Sequence, residues 1–575
     1  MRLRHIPGWL TCVAVLLISN PVRADGQADP LRFVPGQAEL VFKLEDPARI
    51  AQTIFNLDVV RDVLNIDIAR EFYESTNFRR FQQLLGYFEK QLGYKRFELL
   101  DRLAGEGVVV AAKFTGTPGA LVAVQGKDEE LVKKFSQLAL KVFEQELARQ
   151  EIKGKVGKGS YRDIETVEID KFRLAVVGST ILFASEQRVL EKAIDCHLNG
   201  KDSIVGSASL GEARKLLSPD PYGWVWVNLK QINTIQAFKE GIKQVVNIPQ
   251  FYPSVGPLAE MVQESPFVAV GLYHKDNQFL TAVRMPRGRK EMSAKAALFM
   301  PEEKDGSLPL LKPANTVASF SYFLDLGKMW NHKDKWLSAD EAKALDKVEK
   351  DIGRFLGGNK ISTLLNQMGT HQRFVQTQGK TTKQPNNAGT FALVLDMRDP
   401  AFGKSMETIL RAVGLFASFQ FNLKMIEHKH GPYTIVSYQL ADKKKNKKKP
   451  NVAPVDLILN ALSPCFVNAG DNFIASSDVA LCKELLDLLE KEKRSKPATA
   501  TTRFEIYSSG VAAQLNAQKD QYHTALILAL AMDPKAAQKQ VQELIALVER
   551  LGTLQVETHY RSHDFRFDIR LRLNK

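Results

Sequence analysis

The chain has 575 residues, of which 44% are hydrophobic, 25% charged and 9% aromatic, with 36 Gly and 24 Pro. These are globular proportions, and they exclude a collagen, a coiled-coil rod, a disulfide scaffold and a wholly disordered chain; a mean hydropathy of −0.20 excludes a polytopic membrane protein. The formal net charge is +14, and six of those charges form one tract, Lys443-Lys444-Lys445-Asn446-Lys447-Lys448-Lys449, so the basicity is largely a local feature.

Arg2, Arg4 and His5 make a basic start, Trp9 to Ile18 is apolar, and Asn20-Pro21 breaks the run before Val22-Arg23-Ala24. This pattern predicts a secretory signal peptide over residues 1–24, with Asp25 opening the mature chain. The apolar run is shorter than the roughly 20 residues that span a bilayer. Leu40, Phe42 and Leu44 alternate as a strand, and helices are expected from Pro47 to Leu92. Val108–Ala112 and Leu121–Val124 read as strands. Asp128 is placed to cap a helix whose Leu131, Phe135, Leu138 and Val142 share one face. Val167–Ile169, Leu174–Val177 and Ile181–Ala184 are short strands joined by tight turns, which predicts a mostly antiparallel sheet.

The same order of elements returns about 280 residues later, a period far too long for a solenoid. Pro35 to Leu44 matches Pro313 to Tyr322; Ala120 to Asp128 matches Thr390 to Asp399; Gly178 to Glu186 matches Gly470 to Asp478. Trp224 to Val227 matches Arg503 to Ile506, and Phe267 to Tyr273 matches Leu554 to Tyr560. The expected fold class is α+β: two homologous halves, each a mostly antiparallel sheet with helices packed on one face. The halves are expected at residues 25–286 and 308–575, with a polar linker at 287–307 and a Lys-rich hairpin insert near 441–453.

The strand that opens with Pro35 and Pro313, the Gly-Ser-Thr-Ile-Leu-Phe-Ala-Ser-Glu hairpin from Gly178, and the signal peptide resemble a large set of exported bacterial proteins known only as a domain of unknown function. The likeness covers most of the mature chain. It implies export and a duplicated α+β build, and it brings no catalytic residues with it.

Chemistry-bearing motifs are scarce. HExxH, GxSxG and CxxC are absent. Phe402-Gly403-Lys404-Ser405 lacks the first glycine of a phosphate loop, since Arg398 stands there. His428 and His430 share one side of a strand without an acid or Cys to complete a metal set, and His559 and His563 have the same defect. No metal and no cofactor are expected. Cys465 and Cys482, on a hairpin and the helix after it, are a candidate disulfide in an exported chain.

Two features point to partners. Lys443, Lys444, Lys445, Lys447, Lys448 and Lys449 are a candidate contact for an anionic envelope polymer or membrane surface; export argues against nucleic acid. The second feature is a contrast of sheet faces between the halves. Aligning the last strands pairs Val268, Val270 and Leu272 with Gln555, Glu557 and His559, and Trp224 and Trp226 with Arg503 and Glu505. Trp224, Trp226, Val268, Val270 and Leu272 are therefore expected to form one apolar, buried face of the N-terminal half, with their five counterparts solvated. The functional expectation is an exported, non-enzymatic binding or structural protein of the cell envelope. It would use that face, or the cleft between halves, for a polymer, a protein partner or a second copy. The alternative is a hydrolase with an unrecognised site in that cleft.

Overall fold

The computed structural model describes residues 29–65, 73–149, 156–200, 202–246, 252–353, 358–378, 389–421, 423–440, 463–492 and 500–574. The predicted signal peptide and the lysine tract lie outside them. The chain forms two compact units: residues up to Lys243 with Val262–Pro286, and Gln244–Met261 with Arg287–Lys575.

The first unit is built on an antiparallel sheet of ten strands: β1 Leu40–Leu44, β2 Gly107–Lys113, β3 Gly119–Gln125, β4 Val156–Tyr161, β5 Ile164–Ile169, β6 Phe172–Val177, β7 Thr180–Ala184, β8 Gly223–Val227, β9 Val268–Lys275 and β10 Gln278–Met285. Their pairing order is β10-β9-β8-β1-β2-β3-β7-β6-β5-β4. The hairpins close as the sequence suggests, with Asp170 (φ 52°) and Gly178 (φ 57°) supplying left-handed turn positions. Alternation along β2 sends Val109 and Ala111 to one face and Val108 to the other, and both faces are used.

The helices lie on both faces of this sheet, where the sequence suggested one. Val41, Val109, Leu121, Trp224, Trp226 and Phe267 pack with Leu190 and Ile194 of helix α4 (Gln187–Asn199) and Leu210 and Ala213 of α5 (Ala208–Leu216). On the opposite face, Val108, Val124 and Ile181 pack with Phe88 and Leu92 of α1 (Thr76–Leu92), Leu99 and Leu103 of α2 (Arg96–Ala104), and Phe135 of α3 (Glu129–Arg149). Asp128 accepts from the Leu131 amide at 3.0 Å, the cap expected for α3.

The second unit has its own ten antiparallel strands: β11 Thr316–Phe323, β12 Met368–Thr377, β13 Thr390–Met397, β14 Leu423–His430, β15 Tyr433–Leu440, β16 Cys465–Ala469, β17 Asn472–Ser476, β18 Thr502–Tyr507, β19 Thr553–Tyr560 and β20 Phe565–Arg572. They pair in the order β20-β19-β18-β11-β12-β13-β17-β16-β15-β14, strand for strand the order of the first unit. Helix α6 (Ala401–Phe421) covers one face through Phe402 and Ile409, and α7 (Val479–Lys491) covers the other through Leu481, Leu485 and Leu486. The stretch read as a linker is folded into this unit: Ala294–Ala297 is helical, Phe299 and Met300 are buried, and Ser307 donates to the Ala500 carbonyl at 2.8 Å. Its apolar residues find a core with Tyr252 and Met329, which composition alone does not reveal.

Candidate binding face

In an antiparallel pair, residues directly opposite each other point to the same face. Strand β8 lies against β9 with Val225 opposite Val270, Val227 opposite Val268 and Gly223 opposite Leu272. Strand β1 adds Phe42 opposite Val225, and β10 adds Val283 opposite Val270. Phe42, Val225, Val227, Val268, Val270 and Leu272 thus form one continuous aliphatic and aromatic face, and every one of them is half-buried. His274 follows on the same face and packs on Phe279 with ring centres 4.4 Å apart. Its Nδ1 lies 3.3 Å from the Tyr222 hydroxyl, and its buried Nε2 meets no partner among the described residues. Burial lowers its pKa, with Asp276 opposing and Arg49 adding to the shift.

Trp224 and Trp226 do not belong to this face. Trp224 stands opposite Gly271 and Trp226 opposite Ala269, so both point to the other side, beneath α4 and α5, at 2% and 1% exposure. The Trp224 indole N–H donates to Glu45 Oε1 at 2.7 Å. The five residues grouped from sequence are therefore two sets, back to back, and only the tryptophans are fully buried.

The physical cause is a one-residue slip in the alignment of the last strands. Ala269 faces Trp226, and Gln555 faces Glu505, the residue in the place of Trp226. Ala269 therefore corresponds to Gln555 and Gly271 to Glu557, while Val268 and Val270 correspond to Leu554 and Val556. Because side chains alternate, a shift by one exchanges the faces.

The charged set of the second unit is real, but it is only partly solvated. Arg503, Glu505, Gln555, Glu557 and His559 share a face with Asp568 and Arg570. Glu557 and Asp568 are each 6% exposed, and the others are half-buried. Cross-strand pairing makes this tolerable: Arg503 lies 3.0 Å and Arg570 2.5 Å from Glu557, and Arg570 is 2.8 Å from Asp568. His559, 3.8 Å away, acts with Arg570 and Arg503 to pull the Glu557 carboxyl down to about 2, against the opposing effect of burial. Nearby on the same face of the sheet, Arg373 is 2% exposed and holds Glu492 at 2.7 and 2.9 Å.

The remaining chemistry-bearing groups singled out from sequence make local contacts. His428 Nε2 is 3.0 Å from Ser437 Oγ, but Ser437 is wholly buried and so unfit as a nucleophile. His430 binds Asp487 at 2.7 Å, and His563 binds Glu291 at 2.8 Å. Cys465 and Cys482 are free, buried thiols in contact; that contact, then burial, pushes Cys465 far above the ordinary thiol range. Among the described residues no three His, Cys, Asp or Glu gather as a metal would require, and no helix is long and apolar enough to cross a membrane. One feature escaped the sequence reading altogether: Leu415, Phe416 and Phe419 of α6 are 59%, 75% and 83% exposed. The signal was available, since no charged residue lies between Arg411 and Lys424.

Comparison with known proteins gives a family match over part of the chain and weak structural similarities. No curated protein matches the chain. Crystal form III of TP0453 is similar at 10% identity and a TM-score of 0.24, over 46% of this chain and 82% of that one. Crystal form I of TP0453 is similar at 12% identity and the same TM-score, over 46% of this chain and 81% of that one. Residues 106–256 match the model of the family described as "Protein of unknown function (DUF3352)", so the expected likeness to a family without a characterised activity holds over that stretch.

Proposed function

We propose that this is an exported, non-enzymatic binding protein of the cell envelope, and that it takes up an apolar ligand on the half-buried face of β1, β8, β9 and β10. The observation that carries the reading is the contrast between the two sides of those strands. Trp224, Trp226, Phe267 and Ala269 are at most 2% exposed, whereas Phe42, Val225, Val227, Val268, Val270 and Leu272 keep part of their surface accessible. Apolar side chains that line a continuous face without being sealed are what a hydrophobic ligand or partner completes. The signal-peptide pattern at residues 1–24 supports export, and the lysine tract supports an anionic polymer or lipid surface as a neighbour. The shared strand order supports descent of both units from one duplicated ancestor.

The test is binding of an environment-sensitive apolar dye to the purified full chain, together with mass spectrometry of molecules extracted from it. Val270→Glu is expected to abolish dye binding while the chain stays folded. Dye binding that survives Val270→Glu, or a wild-type chain that binds no apolar molecule, overturns the proposal. Export is checked separately, by sequencing the N-terminus of protein from the periplasm or medium; Asp25 is expected first.

A further inference from the structure

A cleft runs along helix α4, on the side of the first unit's sheet away from Val270. Val110 stands opposite Phe42 and shares the face of Val225 and Val270; Ala111, one residue on, points the other way and lines the cleft. One wall is a stripe of α4, where Arg188, Lys192, Asp195 and Asn199 recur at helical spacing and so share one side. The other wall is the Pro35–Gln37 turn. The Gly36 N–H donates to the Asp202 carbonyl at 2.6 Å, and the Ile204 N–H donates to the Val34 carbonyl at 2.8 Å, so the turn is pinned to the chain that follows α4. Gly119 lets α4 settle on the sheet, since a Cβ there would come within 2.6 Å of a Val189 methyl.

The cleft has two parts, which meet at Gln37 and Lys192. The smaller has a volume of about 60 Å³, an aliphatic floor of Ala38, Ala111 and Leu121, and a rim of Lys113, Arg188 and Lys192. Every charged residue lining it is a cation. Arg188 is already engaged, with Glu186 at 3.0 Å and the Pro118 carbonyl at 2.8 Å. Lys113 and Lys192 have no carboxylate partner among the described residues. Glu39, next to Ala38 in sequence, is turned away from them and accepts from the amides of Phe114 and Thr115 at 2.7 and 3.0 Å. Two lysines that converge on one small hollow without a counter-ion favour an anion there.

The larger part has a volume of about 770 Å³, within the roughly 300–1,000 Å³ of ligand clefts. Its lining is polar. Asn199, Ser203 and Ser207 offer amide and hydroxyl groups, and Asp195 and Asp202 offer carboxylates that accept hydrogen bonds. Asp195 is fixed by the Tyr161 hydroxyl at 3.0 Å and by Arg162 at 2.8 Å, which offsets its charge. A chain rich in hydroxyls, each able to donate and to accept, matches this lining, and a carboxylate on the same chain matches the lysines.

We infer that this cleft binds a short acidic oligosaccharide, with a sugar carboxylate between Lys113 and Lys192 and its hydroxyls along Asn199, Asp202 and Ser207. The site is built from the first unit alone and is independent of the apolar ligand proposed for the Val270 face. The test is isothermal titration of the full chain with tetragalacturonate, against maltotetraose as a neutral chain of the same length and tetraglutamate as an acidic peptide. The wild-type chain is expected to bind tetragalacturonate, more weakly as salt is raised, and to ignore maltotetraose. Lys113→Ala/Lys192→Ala is expected to weaken that binding by about tenfold or more and to keep its melting temperature, because neither lysine is paired in the folded chain. Asn199→Ala, at an exposed position, is expected to weaken it by a smaller factor. A wild-type chain that ignores tetragalacturonate overturns the proposal, as does binding that the double lysine variant leaves unaltered. Equal binding of maltotetraose removes the role of the lysines and overturns it too. Tighter binding of tetraglutamate than of tetragalacturonate overturns it in favour of an acidic peptide.

Discussion

The two units thread ten strands in one order and yet treat the same sheet face in opposite ways. In the first unit, β8 presents Trp224 and Trp226 to a dry core; in the second, β18 presents Arg503 and Glu505 to a paired charge network. The difference tracks what each unit places over the face. Residues 200–222 of the first unit include a 3-10 turn at Ile204–Gly206 and the helix α5, whose Leu210 and Ala213 close over the tryptophans. In the second unit only residues 492–501 separate α7 from β18, too few for an equivalent turn, helix and connections. A face with a helical cover can be apolar. Away from α7, the same face of the second unit carries charged groups instead, and where these are buried they are paired.

The sharpest way to break this comparison is to move the polarity of one unit into the other. Trp226→Glu places the residue of the second unit in the first, without its cross-strand partners. It should cost about 4 kcal/mol or more, from the lost indole packing and a buried unpaired charge. Urea denaturation should show a large drop in the midpoint; a small drop would mean that α5 does not seal this face.

The reciprocal change removes the centre of the charge network. Glu557→Gln leaves Arg503 and Arg570 crowded together without their shared carboxylate, at a cost of about 3 kcal/mol. The same group sets an acid limit. Its folded pKa of about 2 lies below the ordinary glutamate value of 4.5, so its stabilisation is complete above the unfolded value and is lost as pH falls toward 2. Thermal melts between pH 7 and pH 2 should show a loss of stability below about pH 4.5 that is weaker in Glu557→Gln.

A third change separates the two faces of the first unit. Val270→Glu sits on the half-buried side, where the new carboxylate keeps some contact with water, and should cost about 1–2 kcal/mol. Equal costs for Val270→Glu and Trp226→Glu would show that the two faces are covered alike. The smallest effect is expected from deleting Lys443–Lys449, which should leave the melting temperature unchanged, because like charges favour a solvated segment over a packed one. A loss of several degrees would make the tract a structural element.

Much of the architecture could be read from local pattern. Alternation at Leu40, Phe42 and Leu44 placed β1 residue for residue, Asp128 marked the start of α3, and the turns at Asp170 and Gly178 implied antiparallel hairpins. The contrast of Trp224 and Trp226 with Arg503 and Glu505 was also visible, since it needed only the identity of matched residues. Which of those residues share a face was not. Val268 and Ala269 are equally plausible partners for Gln555 until the ladder shows Gln555 opposite Glu505 and Ala269 opposite Trp226.

Composition and periodicity by themselves determined that this chain is α+β, that its elements recur in one order, and that its positive charge is concentrated in one tract, because those properties depend on neighbours in sequence. Tertiary structure decided the rest. Strand pairing sets which side chains stand back to back, and α5 decides that Trp226 is dry. Arg503 and Arg570, 67 residues apart in sequence, meet on Glu557 and make its burial affordable. The close packing of Gly414 against Tyr438 turns Phe416 and Phe419 outward. Each of these depends on contacts between residues far apart in the chain, where periodicity carries no information and only the packed sheet does.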